Sequence, residues 1–114
     1  MTFRSEITDN NGTFEAVIAG RLDSATSSGF EKSLQELFGR PKVRVLIDFA
    51  ALDYVSSAGL RVVLMAAKRA KQAQGELVLC GLQPHVKSVF EISGFLKILT
   101  VVDDRAAAVA RLQG

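Results

Sequence analysis

The chain lacks the residues and segments that mark several classes of protein. It has no tryptophan, two prolines and a single cysteine, Cys80, among 114 residues. One cysteine cannot close an internal disulfide or supply a zinc-finger ligand set, so neither is expected. No apolar run approaches the ~18 residues of a membrane span, and the amino terminus has no signal-peptide core. These absences predict a protein of the cytoplasm, a reducing compartment, with no metal centre.

Charge of one sign is also scarce. Fourteen Lys and Arg residues stand against twelve Asp and Glu, a formal net charge of +2. That is too little for the basic stripe of a nucleic-acid binder or for attachment to an anionic membrane. There is no Gly-x-x-x-x-Gly-Lys phosphate loop, and no cofactor is expected. The length predicts one domain, residues 1–114, built around one core.

Strand-like and helix-like segments alternate along the chain. Asn10-Asn11-Gly12 predicts an opening hairpin between strands at Phe3–Thr8 and Thr13–Ala19, because Asn-Gly tolerates the positive φ of a tight turn. Three further strands rich in aliphatic residues are predicted at Val43–Phe49, Glu76–Cys80 and Lys97–Val102. Alternation with helices implies right-handed crossovers. We therefore expect an α/β fold, a single mixed and mostly parallel sheet with helices packed on it.

Four helices are predicted from caps, breakers and apolar spacing. Their expected limits are Asp23 or Ser24 to Gly39, Ser56-Ser57 to Gly75, Pro84 to Ser93-Gly94, and Asp103 or Asp104 onward. Their expected core-facing residues are Phe30, Leu34, Leu37 and Phe38; Leu60, Val63, Leu64 and Ala67; Val86, Val89, Phe90 and Ile92; and Ala107, Val109 and Ala110. Because ligands and partners meet parallel sheets at the carboxyl ends of the strands, Asp23, Ser56, Ser57 and the loop from Gly81 to His85 should lie near one another.

The two serines before the second helix are the most informative polar residues. One serine suffices as a helix cap, which is by itself an ordinary structural role; the other is free to be exposed. The helix dipole and unpaired N–H groups would tolerate a phosphate there, and Gly59 is expected to leave the approach open. Phosphorylation adds about −1.5 to −2 charges, enough to oppose docking on an acidic or apolar partner without unfolding the domain.

The segment Asp48 to Leu60 resembles the signature of STAS domains, specifically of the anti-sigma factor antagonists. The resemblance covers nearly the whole chain. It includes Gly20-Arg21-Leu22-Asp23, Leu79-Cys80-Gly81-Leu82-Gln83-Pro84-His85-Val86 and Ser93-Gly94-Phe95-Leu96. The chain departs from the family pattern at two positions: Ser56 occupies a position that is often Asp, and Ala58 replaces a frequent second Ser or Thr.

The resemblance implies a switch in which Ser57 is phosphorylated by an ATP-dependent serine kinase that is also an anti-sigma factor. Unphosphorylated antagonist binds that kinase and frees a sigma factor, and a PP2C-type phosphatase restores the serine. Asp23 matches a partner-facing residue. Ser56 is a second candidate acceptor. The free protein is expected to be monomeric.

Other interpretations stay open at this stage. A hydrolase nucleophile elbow, Gly-x-Ser-x-Gly, is nearly matched by residues 55–59, but Val55 replaces its first glycine. His85 is the only possible histidine base, and the chain is short for a hydrolase, so we expect no enzyme. Asp23, Ser56, Ser57 and Gly59 are expected to bind the partner. Arg61 and Met65 are further candidate contacts if they lie outside the core, since Arg and Met are enriched in interfaces. STAS-like domains also resemble accessory subunits of transporters and other non-transcriptional regulators, and the fold does not decide the output.

Overall fold

The computed structural model describes residues 3–10 and 12–113, and in them a five-stranded sheet. The strands are β1 (Arg4–Asn10), β2 (Thr13–Leu22), β3 (Arg44–Val55), β4 (Glu76–Cys80) and β5 (Thr100–Val102). They lie side by side in chain order. The pair β1–β2 is antiparallel and the other three pairs are parallel, so the predicted mixed sheet and α/β class are confirmed. In the predicted hairpin turn, Asn11 lies outside the described residues.

Helices cover both faces of the sheet. They are α1 (Ser27–Leu37), α2 (Ser57–Gln72), α3 (Pro84–Ile92) and α4 (Arg105–Gln113), with a short 3₁₀ turn at Phe95–Lys97. The main core lies between the sheet and α1, α2 and α3. On the opposite face α4 contributes Ala108 and Leu112, which pack against Leu46, Val78 and Cys80. Each helix among the described residues is too short or too polar to span a bilayer.

The apolar spacing predicts the buried face well for α1 and less well elsewhere. Phe30, Leu34, Leu37 and Phe38 are all buried, as predicted. In α2 the buried residues are Gly59, Leu60, Val62, Val63, Ala66 and Ala70, because this helix is enclosed by α1 as well as the sheet; Leu64 and Ala67 are only half-buried.

The predictions for the last two helices need two corrections. Ile92 is predicted in the core but is 87% exposed, because the helical repeat places it on a different side of α3 from the buried Val86 and Phe90. In α4 the buried positions are Ala108 and Leu112, while Ala107 and Ala110 are exposed. An alanine-rich helix offers little contrast between its faces, so its sequence does not determine which one turns inward.

Two element boundaries also differ from the prediction. Helix α1 begins at Ser27 after Thr26, not after Asp23 or Ser24, because Asp23 forms a separate turn before it. The predicted last strand, Lys97–Val102, is shorter: residues 95–97 form the 3₁₀ turn and β5 begins at Thr100. For α4 the acidic cap is Asp104, whose Oδ1 accepts a hydrogen bond from the Ala107 N–H at 2.9 Å.

Strand β3 is longer than predicted, and its excess length determines where the second helix starts. Its pairing with β4 ends at Asp48, whereas its pairing with β2 continues to Val55, opposite Leu22. Residues 49–55 therefore extend past β4 at the carboxyl edge of the sheet, and α2 begins at the end of this extension.

Candidate functional site

The candidate site lies where β2 and β3 end together. Leu22 pairs with Val55, and the next residue, Ser56, donates its backbone N–H to the Leu22 carbonyl oxygen at 2.9 Å. This bond joins the start of α2 to the turn that begins at Asp23. We call residues 22–23 and 55–61 the serine edge.

The two adjacent serines have different environments. Ser56 has an extended backbone (φ −94°, ψ 175°) and is the N-cap of α2; its Oγ accepts a hydrogen bond from the Gly59 N–H at 3.2 Å. Ser57 is the first residue of the helix and is exposed. One hydroxyl therefore caps the helix, and the other faces solvent beside N–H groups that the first helical turn leaves without intrahelical partners.

Gly59 is buried and packs against the strand ends. A Cβ at this position would lie 2.8 Å from the Leu22 carbonyl oxygen and 2.9 Å from both Leu22 Cγ and Val55 Cγ2. The prediction that Gly59 keeps an outer approach open is therefore wrong. Its missing side chain allows the first turn of α2 to sit directly on β2 and β3, which sets the position of Ser57 at the surface.

The Asp23 carboxylate stabilises its own turn. Its Oδ1 accepts hydrogen bonds from the backbone N–H groups of Ala25 (3.0 Å) and Thr26 (3.2 Å), and from the Thr26 hydroxyl at 3.1 Å. Asp23 is half-buried, so part of the side chain remains at the surface. The acid is thus held in one orientation next to the start of α2.

Arg61 follows Ser57 by one helical turn and lies on the outer surface of α2. It is exposed, and it lines a shallow depression of about 260 Å³ that also includes Ser57. The other lining residues are Leu60, Leu64, Ser93 and Phe95. Met65 is half-buried and does not line this depression.

The loop from Gly81 to His85 reaches the carboxyl edge of the sheet but contacts β3 upstream of Ser57. The Gln83 Nε2 donates to the carbonyl oxygens of Ala50 and Leu52, each at 2.9 Å, and His85 Nε2 is 2.6 Å from the Asp53 carbonyl oxygen. The single histidine is thus bonded to the backbone of β3. Sequence reasoning missed the role of Gln83, since no periodicity or motif distinguishes it.

Cys80 lies on the opposite face of the sheet and is fully buried. Burial, together with the nearby carboxylates of Asp48, Glu15 and Asp104, raises the pKa of its thiol to about 12. Because the thiolate is the reactive form, this cysteine is inert at neutral pH and acts as a small buried apolar residue.

A second feature that the sequence did not reveal lies beside the serine edge. The Arg21 guanidinium stacks over the Tyr54 ring, 4.0 Å from its centroid. Both side chains are exposed at the ends of their strands. Register placed them together, because Arg21 of β2 pairs with Tyr54 of β3 past a shift in the ladder.

The fold and this site define the class of protein. A family model described as the STAS domain matches residues 4–108. The chain therefore belongs to the STAS domain family.

Within that family the resemblance is to anti-sigma factor antagonists. BtrV of Bordetella bronchiseptica, named as a candidate anti-sigma factor antagonist, is 50% identical over 100 residues, covering 88% of this chain and 86% of BtrV. A Thermotoga maritima structure described in the same way matches with a TM-score of 0.89 at 14% identity, covering 96% of this chain and 95% of that one. The Bacillus protein SpoIIAA in its phosphorylated form matches with a TM-score of 0.72 at 20% identity, covering 96% and 98%.

Proposed function

We propose that this chain is a phosphorylation-controlled anti-sigma factor antagonist whose acceptor is Ser57. Unphosphorylated, it binds an anti-sigma factor that is also an ATP-dependent serine kinase, and a sigma factor is released. Phosphorylation of Ser57 blocks that binding, and a PP2C-type phosphatase reverses it. The protein acts in the cytoplasm as a regulator and not as an enzyme.

The observation that carries this proposal is the separation of roles between Ser56 and Ser57. The Ser56 hydroxyl is occupied as the N-cap, while Ser57 is exposed at the positive end of the α2 dipole. A phosphate there is favoured by about 0.3–1 kcal/mol and requires no rearrangement of the core. Ser56 remains the second candidate acceptor.

The proposed partner surface consists of residues that surround this hydroxyl. Asp23 contributes a carboxylate held in one orientation by its own turn, and Arg61 contributes an exposed cation one helical turn from Ser57. Ser56 caps α2 and Gly59 packs against the strand ends, so together they position the first turn of α2. Met65 extends the proposed surface along α2. A phosphate dianion at the centre of this surface would oppose docking, because an acidic partner surface would repel it and an apolar one would remove its hydration.

The relative BtrV, 50% identical over 100 residues, supports a role in transcription control over one in transport, because its name describes it as a candidate anti-sigma factor antagonist. The STAS fold by itself does not separate this role from that of a transporter accessory subunit. The two can be separated by capture: the proposal requires a soluble kinase partner, and a stable complex with a membrane transporter would contradict it.

The decisive experiment incubates the chain with ATP and the anti-sigma-type serine kinase of the same organism, then maps the modified peptide by mass. We expect one phosphate, on Ser57. Ser57→Ala should abolish the mass shift, whereas Ser56→Ala should retain it. Phosphate on neither serine would reject the mechanism, and phosphate on Ser56 alone would reassign the acceptor.

A further inference from the structure

The extension of β3 beyond β4 leaves one edge of that strand without a neighbouring strand. Within the described residues no strand pairs with the carbonyl groups on this side; the Leu52 bond is part-buried, where an unpaired polar group is costly, whereas those at Ala50 and Asp53 are exposed. The structure supplies partners for these carbonyl groups from side chains of the loop after β4, not from another strand.

Three hydrogen bonds complete this edge. The two N–H groups of the Gln83 amide are directed at the Ala50 and Leu52 carbonyl oxygens, both 2.9 Å away. His85 Nε2 lies 2.6 Å from the Asp53 carbonyl oxygen, and because a carbonyl only accepts, this nitrogen must carry the proton. The Gln83 bonds reach alternate carbonyls, as a paired strand would, and the His85 bond adds the next carbonyl, Asp53, at the shift in the β2–β3 register.

Local sequence explains how the loop reaches this position. Gly81 has a φ of +72°, which turns the chain directly after β4, and Pro84 begins α3. A Cβ on Gly81 would lie 3.0 Å from Asp48 Oδ1 and 3.2 Å from the Ala50 backbone nitrogen, so the loop passes very close to β3. The side chains of Gln83 and His85 are thereby held against residues 50–53.

We propose that Gln83 and His85 are positioning residues for the acceptor serine. On its other edge the same segment pairs with β2 as far as Leu22, and Ser56 is bonded to the Leu22 carbonyl. With Gln83 and His85 in place, the strand that leads into Ser57 is hydrogen-bonded on both sides. Neither residue touches the phosphate donor; they act through the backbone of residues 50–53 by limiting the orientations of the α2 start. This inference rests on the proposed phosphorylation of Ser57.

The first measurement needs no partner: amide hydrogen exchange of residues 50–57 in variants of the whole chain. Gln83→Glu keeps the shape but loses both N–H donors, and His85→Phe loses the ring donor. We expect exchange in this segment to accelerate roughly tenfold in either variant, with little change in the helices. In the wild type, residues 50–57 can open only when the bonds from Gln83 and His85 break, and the variants lack that cost. His85→Gln retains an N–H at a similar reach and should restore protection. Lys87→Gln, an exposed change on the same helix, is the matched control.

The second measurement is the kinetics of phosphorylation by the anti-sigma-type kinase. Poorly ordered acceptors are presented less often in a reactive geometry, so kcat/KM should fall about tenfold in Gln83→Glu and His85→Phe. It should be unchanged in Lys87→Gln and recover in His85→Gln. A role confined to stability would lower the melting temperature of the variants without changing exchange in residues 50–57 or kcat/KM below the transition.

The two measurements separate this inference from the proposed function. Faster exchange in Gln83→Glu and His85→Phe together with lower kcat/KM supports positioning. Unchanged exchange, or faster exchange with unchanged kcat/KM, overturns it. If wild-type Ser57 is not phosphorylated, the proposed function fails, and positioning of an acceptor fails with it even where the exchange result stands. If Gln83→Glu does not fold, His85→Phe and its His85→Gln rescue give the answer alone.

Discussion

The serine edge and the face covered by α4 place a potential nucleophile, Ser57 and Cys80 respectively, in opposite environments. Ser57 is exposed at a helix start, where N–H groups favour an added anion. Cys80, the last residue of β4, is buried beneath α4, and the pKa of its thiol is raised to about 12. Intrinsically the thiol is the better nucleophile, yet its surroundings remove it from chemistry. Burial and local charge, more than residue type, determine which group can be modified.

The two regions are also held together differently. At the serine edge, the bond from the Ser56 N–H to the Leu22 carbonyl and the close approach of Gly59 hold the start of α2 against β2 and β3. On the other face, α4 is fastened at its periphery by arginines. Arg105 forms a bidentate pair with Glu15 at 2.5 and 2.7 Å, Arg111 lies 3.3 Å from Glu76, and Arg44 donates to the Leu112 carbonyl. The largely exposed Arg111–Glu76 pair contributes little, the bidentate Arg105 pair with half-buried Glu15 contributes more, and both weaken with salt.

The largest effect is expected from a charge at Ser57, which tests whether this exposed position controls partner binding. Ser57→Asp should weaken binding of the kinase partner by about 3 kcal/mol, two decades in Kd, because the carboxylate must be desolvated on docking. The free energy of unfolding should change by less than about 1 kcal/mol, since an acid suits a helix start. Titration calorimetry and urea unfolding measure the two quantities.

Ser57→Asn is the matched neutral control and should retain most of the affinity. If Ser57→Asp unfolds the domain, or if both variants lose binding equally, charge at this position is not the switch.

A methyl group at Gly59 tests whether the close packing of the serine edge is required. Gly59→Ala should lower the free energy of unfolding by about 2 kcal/mol despite the better helix propensity of alanine, because its Cβ meets Leu22 and Val55 at under 3 Å. Gly29→Ala in α1 is the control. Its Cβ would meet nothing within 4 Å, so urea unfolding should show stabilisation of up to about 1 kcal/mol. Equal effects at the two glycines would refute the packing role.

The α4 face should respond to alkaline pH through Cys80. The folded-state pKa of about 12 exceeds the ordinary value of 9.0, so the unfolded chain loses its thiol proton first as pH rises. The contribution of the protonated thiol to the free energy of unfolding is therefore complete below about pH 9. Above that pH it falls by about 1.4 kcal/mol per pH unit until the folded thiol ionises.

Urea unfolding at pH 8, 9 and 10 measures this dependence, and Cys80→Ala is the reference. The variant should be less stable at pH 8 but should show a shallower decline above pH 9. Parallel declines would mean that the thiol is not responsible.

The smallest expected effect distinguishes the two serines. Ser56→Ala should cost about 1 kcal/mol of stability through the lost N-cap bond to the Gly59 N–H. Ser56→Asp should restore most of it, because Asp caps as well as Ser. Phosphorylation of Ser57 should persist in both variants. A Ser56→Ala protein as stable as the wild type would show that the cap contributes nothing.

Much of the fold could be predicted because the relevant signals are local. The hairpin residues, the cap and breaker residues and the continuous aliphatic strands specified the order of elements and the parallel sheet. The apolar stripe of α1 specified its buried face. Prediction was poorest in α4, where alanines on every side leave no contrast, and at Ile92, whose apolar side chain lies off the face of α3 that Val86 and Phe90 bury.

The site was predicted in position but not in detail. Two serines before a helix indicated a cap and an exposed hydroxyl, without showing which was which. Gly59 was assigned an open approach because the sequence, although it placed Asp23 near the serines, does not indicate how closely Leu22 packs against Gly59. Gln83 carried no signal, since its partners are backbone carbonyls that any sequence would provide.

By itself the sequence determined the order of strands and helices and the presence of a serine pair at the start of α2, because periodicity, caps and turns act within a few residues. Only the tertiary structure decided that Ser56 caps while Ser57 is exposed, that Gly59 touches Leu22, and that Gln83 and His85 complete the edge of β3. Each of these depends on how far β3 runs past β4. That length is set by pairing between segments distant in the chain, and no local pattern records it.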